Sequence, residues 1–164
     1  MVGSAAVEAE AFDEGEFFAA LARSGARVLL IGRRALIALG LPMVTADYDL
    51  WVHIDDIEIL NAAARPFDLF PTLPPAEARQ RGRYVLENDE HVDVLVTRSQ
   101  SAPDGTRLAF DDAWARRESI VYSGSIRVAV PSLDDLITTK RWAMRDKDMA
   151  DIRFLEGLKQ QRKG

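Results

Sequence analysis

Asp47 and Asp49, two aspartates separated by one residue, are the side chains in this sequence best suited to chemistry. The apolar run that they border predicts a strand over 48–52. Side chains alternate along a strand, so both carboxylates point to the same face. Two carboxylates this close repel each other unless one is protonated or a cation lies between them. The expected cation is Mg²⁺, which binds one or two carboxylates together with substrate phosphates.

A third aspartate, Asp93, interrupts an apolar run that predicts a strand over 91–97. A charge inside such a run needs a partner, because burying an unpaired charge is costly. If this strand lies beside 48–52, three carboxylates converge and could hold two metal ions that catalyse in-line attack at phosphorus. Structural alternatives remain open: Asp47 could cap a turn, and Asp93 could pair with an arginine across the sheet. His91 shares the face of Asp93.

A glycine, Gly32, separates a predicted buried strand at 28–31 from a helix that begins at once. Free N–H groups at the start of a helix attract anions, and a glycine lets a phosphate approach the backbone closely. The sequence therefore predicts a phosphate cradle upstream of Asp47 and Asp49. The structural alternative is that Gly32 is only a turn at the end of a strand.

The composition excludes several classes of site. The chain has 164 residues, a formal net charge of −5, no cysteine and two histidines, His53 and His91. A disulfide scaffold, a cysteine-ligated metal, a cysteine nucleophile and a histidine-rich metal site are therefore excluded. The negative charge argues against a protein that coats nucleic acid. No apolar run could span a bilayer and no secretory signal is apparent, which predicts a cytoplasmic protein without a membrane partner.

The order of the elements predicts an α+β (α/β-like) fold. A helix, a strand, a helix, a strand, a helix and several strands precede two final helices, which implies a mixed β-sheet flanked by helices. Asp13 and Ser132 are the expected N-caps of the first helix and of the penultimate one. The expected organisation is a flexible lead-in (1–12), a core (13–131) and a C-terminal helical region packed on the core (132–164).

Taken together, these motifs resemble the small bacterial nucleotidyltransferases of the DNA polymerase β superfamily. The resemblance covers roughly residues 15 to 158 and rests on an apolar residue and glycine followed by a D-x-D and a later aspartate. The matching segments are LIGRRAL (30–36), GLP (40–42), TADYDL (45–50), HVDVL (91–95), LITTKR (136–141) and RDKDMADI (145–152). The last two resemble the ending of stand-alone members, which include abortive-infection toxins and uncharacterised relatives.

The resemblance implies a nucleotidyltransferase fold and an activity of the EC 2.7.7 type. Such an enzyme transfers a nucleoside monophosphate from a nucleoside triphosphate, often ATP, to a hydroxyl with the help of Mg²⁺ or Mn²⁺. The acceptor would be an RNA such as a tRNA, a protein or a small molecule. Asp47 and Asp49 would bind the metals and the triphosphate. Asp93 would bind the catalytic metal and help to deprotonate the acceptor hydroxyl.

The resemblance also implies nucleotide-binding roles for Gly32, Arg33, Thr45 and Lys140. Gly32 and the amide after it would hold the β and γ phosphates. Thr45 would support the two aspartates of the D-x-D, and Lys140 would be a cation on the phosphate side or the base side. Arg33 stands where active members carry serine or glycine, so it either binds phosphate itself or blocks the cradle.

Two other functions remain open at this point. One is a non-catalytic nucleotide-binding or regulatory module that keeps the fold, and Arg33 motivates it. The other is an interaction protein, such as a toxin with an antitoxin partner, and the C-terminal run motivates it.

Overall fold

A computed structural model describes residues 12–143 and 145–163 of the chain. Most of the predicted lead-in lies outside these residues. The described helices are α1 (Glu14–Ser24), α2 (Gly32–Ala38), α3 (Ile57–Ala64), α4 (Pro75–Arg81), α5 (Phe110–Ala115), α6 (Leu133–Arg141) and α7 (Asp146–Lys163). The strands are β1 (Val28–Ile31), β2 (Tyr48–Val52), β3 (Phe70–Pro71), β4 (Arg83–Glu87), β5 (His91–Leu95), β6 (Ser99–Ser101), β7 (Arg107–Ala109), β8 (Glu118–Ser123) and β9 (Ile126–Val130).

Local capping chemistry sets the start of two helices, as the sequence predicts. Oδ1 of Asp13 accepts a hydrogen bond from the backbone N–H of Glu16 at 3.1 Å, and α1 begins at Glu14, directly after Asp13. Oγ of Ser132 accepts one from the N–H of Asp135 at 3.2 Å at the start of α6. Each side chain satisfies a backbone donor that has no partner inside the helix.

A mixed sheet forms the centre of the described structure. Its strand order is β1-β2-β5-β4-β3. The β2–β5 pair is parallel, whereas β1–β2, β4–β5 and β3–β4 are antiparallel. Two further hairpins, β6–β7 and β8–β9, accompany the sheet. The predicted α+β class with a mixed sheet flanked by helices is confirmed.

The two faces of the sheet pack against different cores. Leu50 points into the larger core, which includes residues of α1 and α3. Trp51 points to the opposite face, where its ring makes edge-to-face contacts with Phe110 at 5.3 Å and Trp142 at 5.4 Å. Because strand side chains alternate, Asp49 lies on the same face as Trp51. Phe110 and Trp142 therefore pack on the face that carries Asp49.

The C-terminal helices pack on the rest of the protein. Leu136 of α6 and Leu155 of α7 are fully buried in the larger core. α7 packs against α6, and both helices contact α2, which begins at Gly32. The division of the chain at residue 131 stays a prediction. Within the described ranges, no helix is both long enough and apolar enough to cross a membrane.

Some elements differ from the sequence prediction. From the sequence alone, the arginine cluster around Gly82 and the stretch 99–105 are expected to be loops, but the structure has helix α4 and the hairpin β6–β7 there. The sequence also allows a short strand at 67–70, but the structure has a single 3-10 turn at Arg65–Phe67 followed by the two-residue β3. Asp68 after that turn has a left-handed backbone with φ of 59°, which no strand residue adopts.

Candidate active site

The acid pair of the site comes from two neighbouring strands. Asp49 of β2 and Asp93 of β5 are direct partners in the parallel register, and Asp49 also faces Ile31 of β1. The condition on which the convergence of the carboxylates depended, that the two strands are neighbours, is therefore met. Partner residues in adjacent strands point to the same side of the sheet, so the two carboxylates share one face.

The environment of Asp49 disfavours its charge. The pKa of Asp49 is raised to about 6: burial and the charges of Asp93 and Asp47 raise it, whereas Lys140 and Lys147 lower it. Like charges at close range and loss of solvent both favour the protonated form of a carboxyl. A cation bound between the carboxylates would relieve this repulsion.

Asp47 lies just before β2 and is exposed to solvent. Its backbone N–H donates a hydrogen bond to Oγ1 of Thr45 at 3.1 Å. Thr45 thus orders the backbone at the entrance of the strand, and this contact is compatible with the supporting role that the resemblance implies for it.

Gly32 lies against the carboxylate of Asp49. Its φ is +71°, a left-handed conformation that side chains rarely adopt, and a Cβ built on it would stand 2.5 Å from Oδ2 of Asp49. Position 32 therefore requires glycine for two independent reasons. The close approach joins the turn between β1 and α2 to the acid pair.

Arg33 and Lys140 meet at one carboxylate. Nζ of Lys140 lies 2.9 Å from Oδ2 of Asp151, and Nε of Arg33 donates a hydrogen bond to the same oxygen at 3.2 Å. The side chains of Lys140 and Asp151 are 6% and 3% exposed, so the pair is shielded from water. Both predicted nucleotide-binding cations are thus held at the edge of the site by a residue of α7. Their contacts with a nucleotide stay predictions.

A second buried carboxylate lies beside this group. Asp148 accepts hydrogen bonds from the backbone N–H and from Nε of Arg145, at 3.0 and 2.9 Å. Burial alone would raise the pKa of Asp148, but these hydrogen bonds and the charge of Lys140 outweigh it and lower the pKa. Three positive charges act on Asp49 from this region: Lys140 in the last turn of α6, Arg145 just before α7 and Lys147 in the first turn of α7.

Asp93 has exposed neighbours. Nε2 of His91 lies 3.4 Å from Oδ1 of Asp93, and Nη2 of Arg83 lies 4.0 Å from the same oxygen. The alternative that Asp93 pairs with an arginine across the sheet therefore has only a long contact with a largely exposed side chain in its favour. Asp93 stays accessible to a ligand.

Sequence reasoning missed Arg34, which is buried at the centre of this region. Its guanidinium donates to the carbonyl oxygens of Asp47 and Thr45 and to the carboxylate of Glu14. The only available signal was an arginine inside an otherwise apolar segment, directly after the cradle.

The donors present fit one kind of magnesium site. Among the described residues, no group of three or more histidine, cysteine, aspartate or glutamate side chains is arranged to hold a metal ion. The three acids therefore do not form a ready-made cage. The crowded pair Asp49 and Asp93 suits Mg²⁺, which binds through one or two carboxylates and takes its remaining ligands from substrate phosphates and water.

Comparison with known proteins shows the fold. No protein-family model matches the chain, and no curated protein matches it. The solved structure of the antibiotic-resistance factor ANT(2'')-Ia, a nucleotidyltransferase, matches with a TM-score of 0.60 and 14% identity over 85% of this chain and 78% of that one. A Thermotoga maritima protein (TM1012), provisionally described as a nucleotidyltransferase, matches with a TM-score of 0.52 and 13% identity over 90% and 89%. The chain has the nucleotidyltransferase fold.

Proposed function

We propose that this protein transfers a nucleoside monophosphate from a nucleoside triphosphate to a hydroxyl acceptor with the help of Mg²⁺. The observation that carries the proposal is the placement of Asp49 beside Asp93 on adjacent parallel strands, with Gly32 against the Asp49 carboxylate. The fold supports the same class of reaction. A fold alone does not determine a function, so the carboxylates carry the argument.

Asp49 and Asp93 would hold the metal, with Asp47 at the entrance. Bound there, Mg²⁺ would neutralise charge on the transferring phosphoryl group. In the reaction the acceptor oxygen forms a bond to the α-phosphorus, the bond from that phosphorus to the bridging oxygen breaks, and pyrophosphate leaves. Asp93, the more accessible of the pair, would take the proton of the acceptor hydroxyl. Because Gly32 has no side chain, the turn that would bind phosphate lies directly against the Asp49 carboxylate.

Calorimetric titration of each nucleoside triphosphate in Mg²⁺ tests the proposal. Wild type should release heat with at least one triphosphate, and Asp49→Asn should weaken this binding by at least about tenfold, since each lost charge contact of this kind contributes about 1.5–3 kcal/mol. Asp112→Asn is the matched control, because Asp112 is an exposed aspartate of α5. Equal binding by wild type and Asp49→Asn, or no binding by either, would count against the proposal.

A non-catalytic nucleotide-binding module is the second candidate. It is favoured by the pairing of Arg33 with Asp151 and by the lack of a three-carboxylate group among the described residues. Pyrophosphate release separates the two. An enzyme releases pyrophosphate in the presence of its acceptor and loses this activity in Asp93→Asn, whereas a binding module retains triphosphate without releasing pyrophosphate.

The acceptor, the toxin role and an antitoxin partner are further proposals. The net charge of −5 favours a small molecule, a protein or one specific tRNA over long RNA. If the protein is a cytoplasmic toxin, its expression should arrest growth, and Asp47→Asn should abolish the arrest. Unimpaired growth with wild type would remove the toxin role and leave the transfer reaction itself untouched.

A further inference from the structure

We infer that Arg34 is a positioning residue that fixes the acid-bearing segment 45–47 against α2. The inference rests on the proposed function in so far as Asp47 serves a metal–nucleotide complex. Arg34 is only 8% exposed and lies two residues after Gly32. A buried arginine is rare unless its charge and its donors are matched by partners.

The guanidinium of Arg34 uses a different nitrogen for each of three partners. Nε donates to the carbonyl oxygen of Asp47 at 3.0 Å, and Nη2 donates to that of Thr45 at 2.7 Å. Nη1 donates to Oε2 of Glu14 at 3.0 Å. The central carbon lies 3.8 Å from the centre of the Tyr48 ring, which covers the flat face of the group. A planar fork makes this set of contacts, and a lysine ammonium cannot reproduce it.

The segment that Arg34 holds has little regular structure of its own. Residues 41–47 connect α2 to β2 without forming a helix or a strand. The bond from the Asp47 N–H to Thr45 lies within the segment, whereas two hydrogen bonds from Arg34 tie its backbone carbonyls to α2. The position of Asp47 relative to Gly32 is thus set by a side chain of the helix that Gly32 begins.

Glu14 completes the arrangement. Its Oε2 accepts both the bond from Arg34 and one from the hydroxyl of Tyr48 at 2.5 Å. Burial raises the pKa of Tyr48, and the hydrogen bond to Glu14 raises it further, so the hydroxyl stays a donor. Helix α1 therefore neutralises the buried guanidinium and locks the first residue of β2 at the same point.

Substitution of Arg34 by lysine, with Arg27→Lys as the matched control, tests the inference. Arg27 also makes a forked contact, from Nε and Nη2 to Asp56 at 2.8 and 3.0 Å, but at the opposite end of β1. Both variants keep the positive charge but lose the planar guanidinium and its several hydrogen bonds, so the free energy of unfolding of both should fall. Only Arg34→Lys should loosen the acid segment.

The primary measurement is hydrogen exchange at the backbone amide of Asp47, which needs no ligand. We expect exchange at least about tenfold faster in Arg34→Lys than in wild type, after correction for the change in global stability, and unchanged in Arg27→Lys. Exchange at Asp47 that follows global stability equally in both variants would overturn the inference. If Arg34→Lys does not fold, Glu14→Gln, which keeps an acceptor but removes the countercharge, should give a smaller effect at the same amide.

Titration of Mn²⁺ with a nucleoside triphosphate, followed by the electron paramagnetic resonance of Mn²⁺, links the positioning to the proposed function. Arg34→Lys should bind the complex at least about fivefold more weakly, and Arg27→Lys should bind like wild type. If wild type binds no metal–nucleotide complex, the proposed function fails, while the exchange result still decides whether Arg34 fixes the segment. Equal affinity in wild type and Arg34→Lys would refute a role of Arg34 in binding the metal–nucleotide complex.

Discussion

Gly32 and Asp49 approach so closely that a methyl group on Gly32 would stand 2.5 Å from Oδ2 of Asp49. The contact joins the first turn of α2 directly to Asp49 of the acid pair. Asp49 can therefore lie against this turn only because position 32 has no side chain.

Gly32→Ala should damage both stability and triphosphate binding. Gly25→Ala is the matched control, because Gly25 has a similar φ of +83° but no atom within 4 Å of the added methyl. The left-handed backbone alone should cost about 1–2 kcal/mol in each variant. In urea unfolding, Gly32→Ala should lose at least about 1 kcal/mol more free energy of unfolding than Gly25→Ala, because only the methyl group at position 32 would clash with Asp49. Equal losses would show that the site accommodates the methyl group.

Asp49→Asn should make the protein more stable at neutral pH without divalent ions. The pKa of about 6 lies above the ordinary value of 3.8, so ionised Asp49 destabilises the fold above pH 6 and this penalty disappears below about pH 4. Two pKa units correspond to about 3 kcal/mol, and partial solvent screening lowers the expected gain to about 1–2 kcal/mol at pH 7.5. Urea unfolding of both proteins from pH 4 to 8 measures it. A difference independent of pH would contradict the prediction.

Asp56→Asn should show the opposite pH dependence. The side-chain hydrogen bonds from Arg27 lower the pKa of Asp56, so its stabilising effect is present above the ordinary pKa and is lost as pH falls through the lowered value. The free energy of unfolding of wild type should exceed that of Asp56→Asn by about 1–2 kcal/mol at pH 7, and the two values should converge in strong acid. A gap that widens as the pH falls would show that the sign is wrong. Because Asp56 lies at the far end of β2 from Asp49, triphosphate binding should not change.

Lys140 and Asp151 should be strongly coupled. Lys140→Met leaves a buried carboxylate with Arg33 as its remaining cation, so we expect a loss of about 2–4 kcal/mol. Adding Asp151→Leu removes that carboxylate, and the double variant should lose clearly less than the sum of the two single losses. The same cycle on Lys159 and Asp134, an exposed pair at the surface, should show much weaker coupling. Additive losses at Lys140 and Asp151 would mean that the pair is not energetically linked.

Local and periodic features of the fold could be predicted from the sequence. The caps at Asp13 and Ser132 depend on residues three positions away, so they are visible in the chain itself. Alternation placed Asp49 and Asp93 on one face, given only that their strands are neighbours. The order of the elements predicts the α+β class, and the resemblance implies the nucleotidyltransferase fold.

The contacts that complete the site could not be predicted in this way. Arg34 donates to backbone carbonyl oxygens. Every residue has such an oxygen, so the sequence does not indicate which residues Arg34 contacts. Asp151 meets Arg33 only because α7 folds back on α2, a long-range event without a local pattern. His53 follows the predicted strand 48–52, and this position at the end of a strand suggests a surface residue. It is only 7% exposed, and the ring of Phe110 packs against it. Such tertiary packing overrides what the neighbouring residues alone suggest.

The shared carboxylate of Asp151 also constrains how the protein can be made. Arg33 and Asp151 are 118 residues apart. At about 5–20 residues per second, a ribosome needs on the order of ten seconds to pass from one to the other. During that interval the nascent chain carries the glycine turn and the acid pair while Arg33 lacks its partner on α7. The acid pair is therefore synthesised early, but the charge balance around it is established only when α7 emerges and folds back.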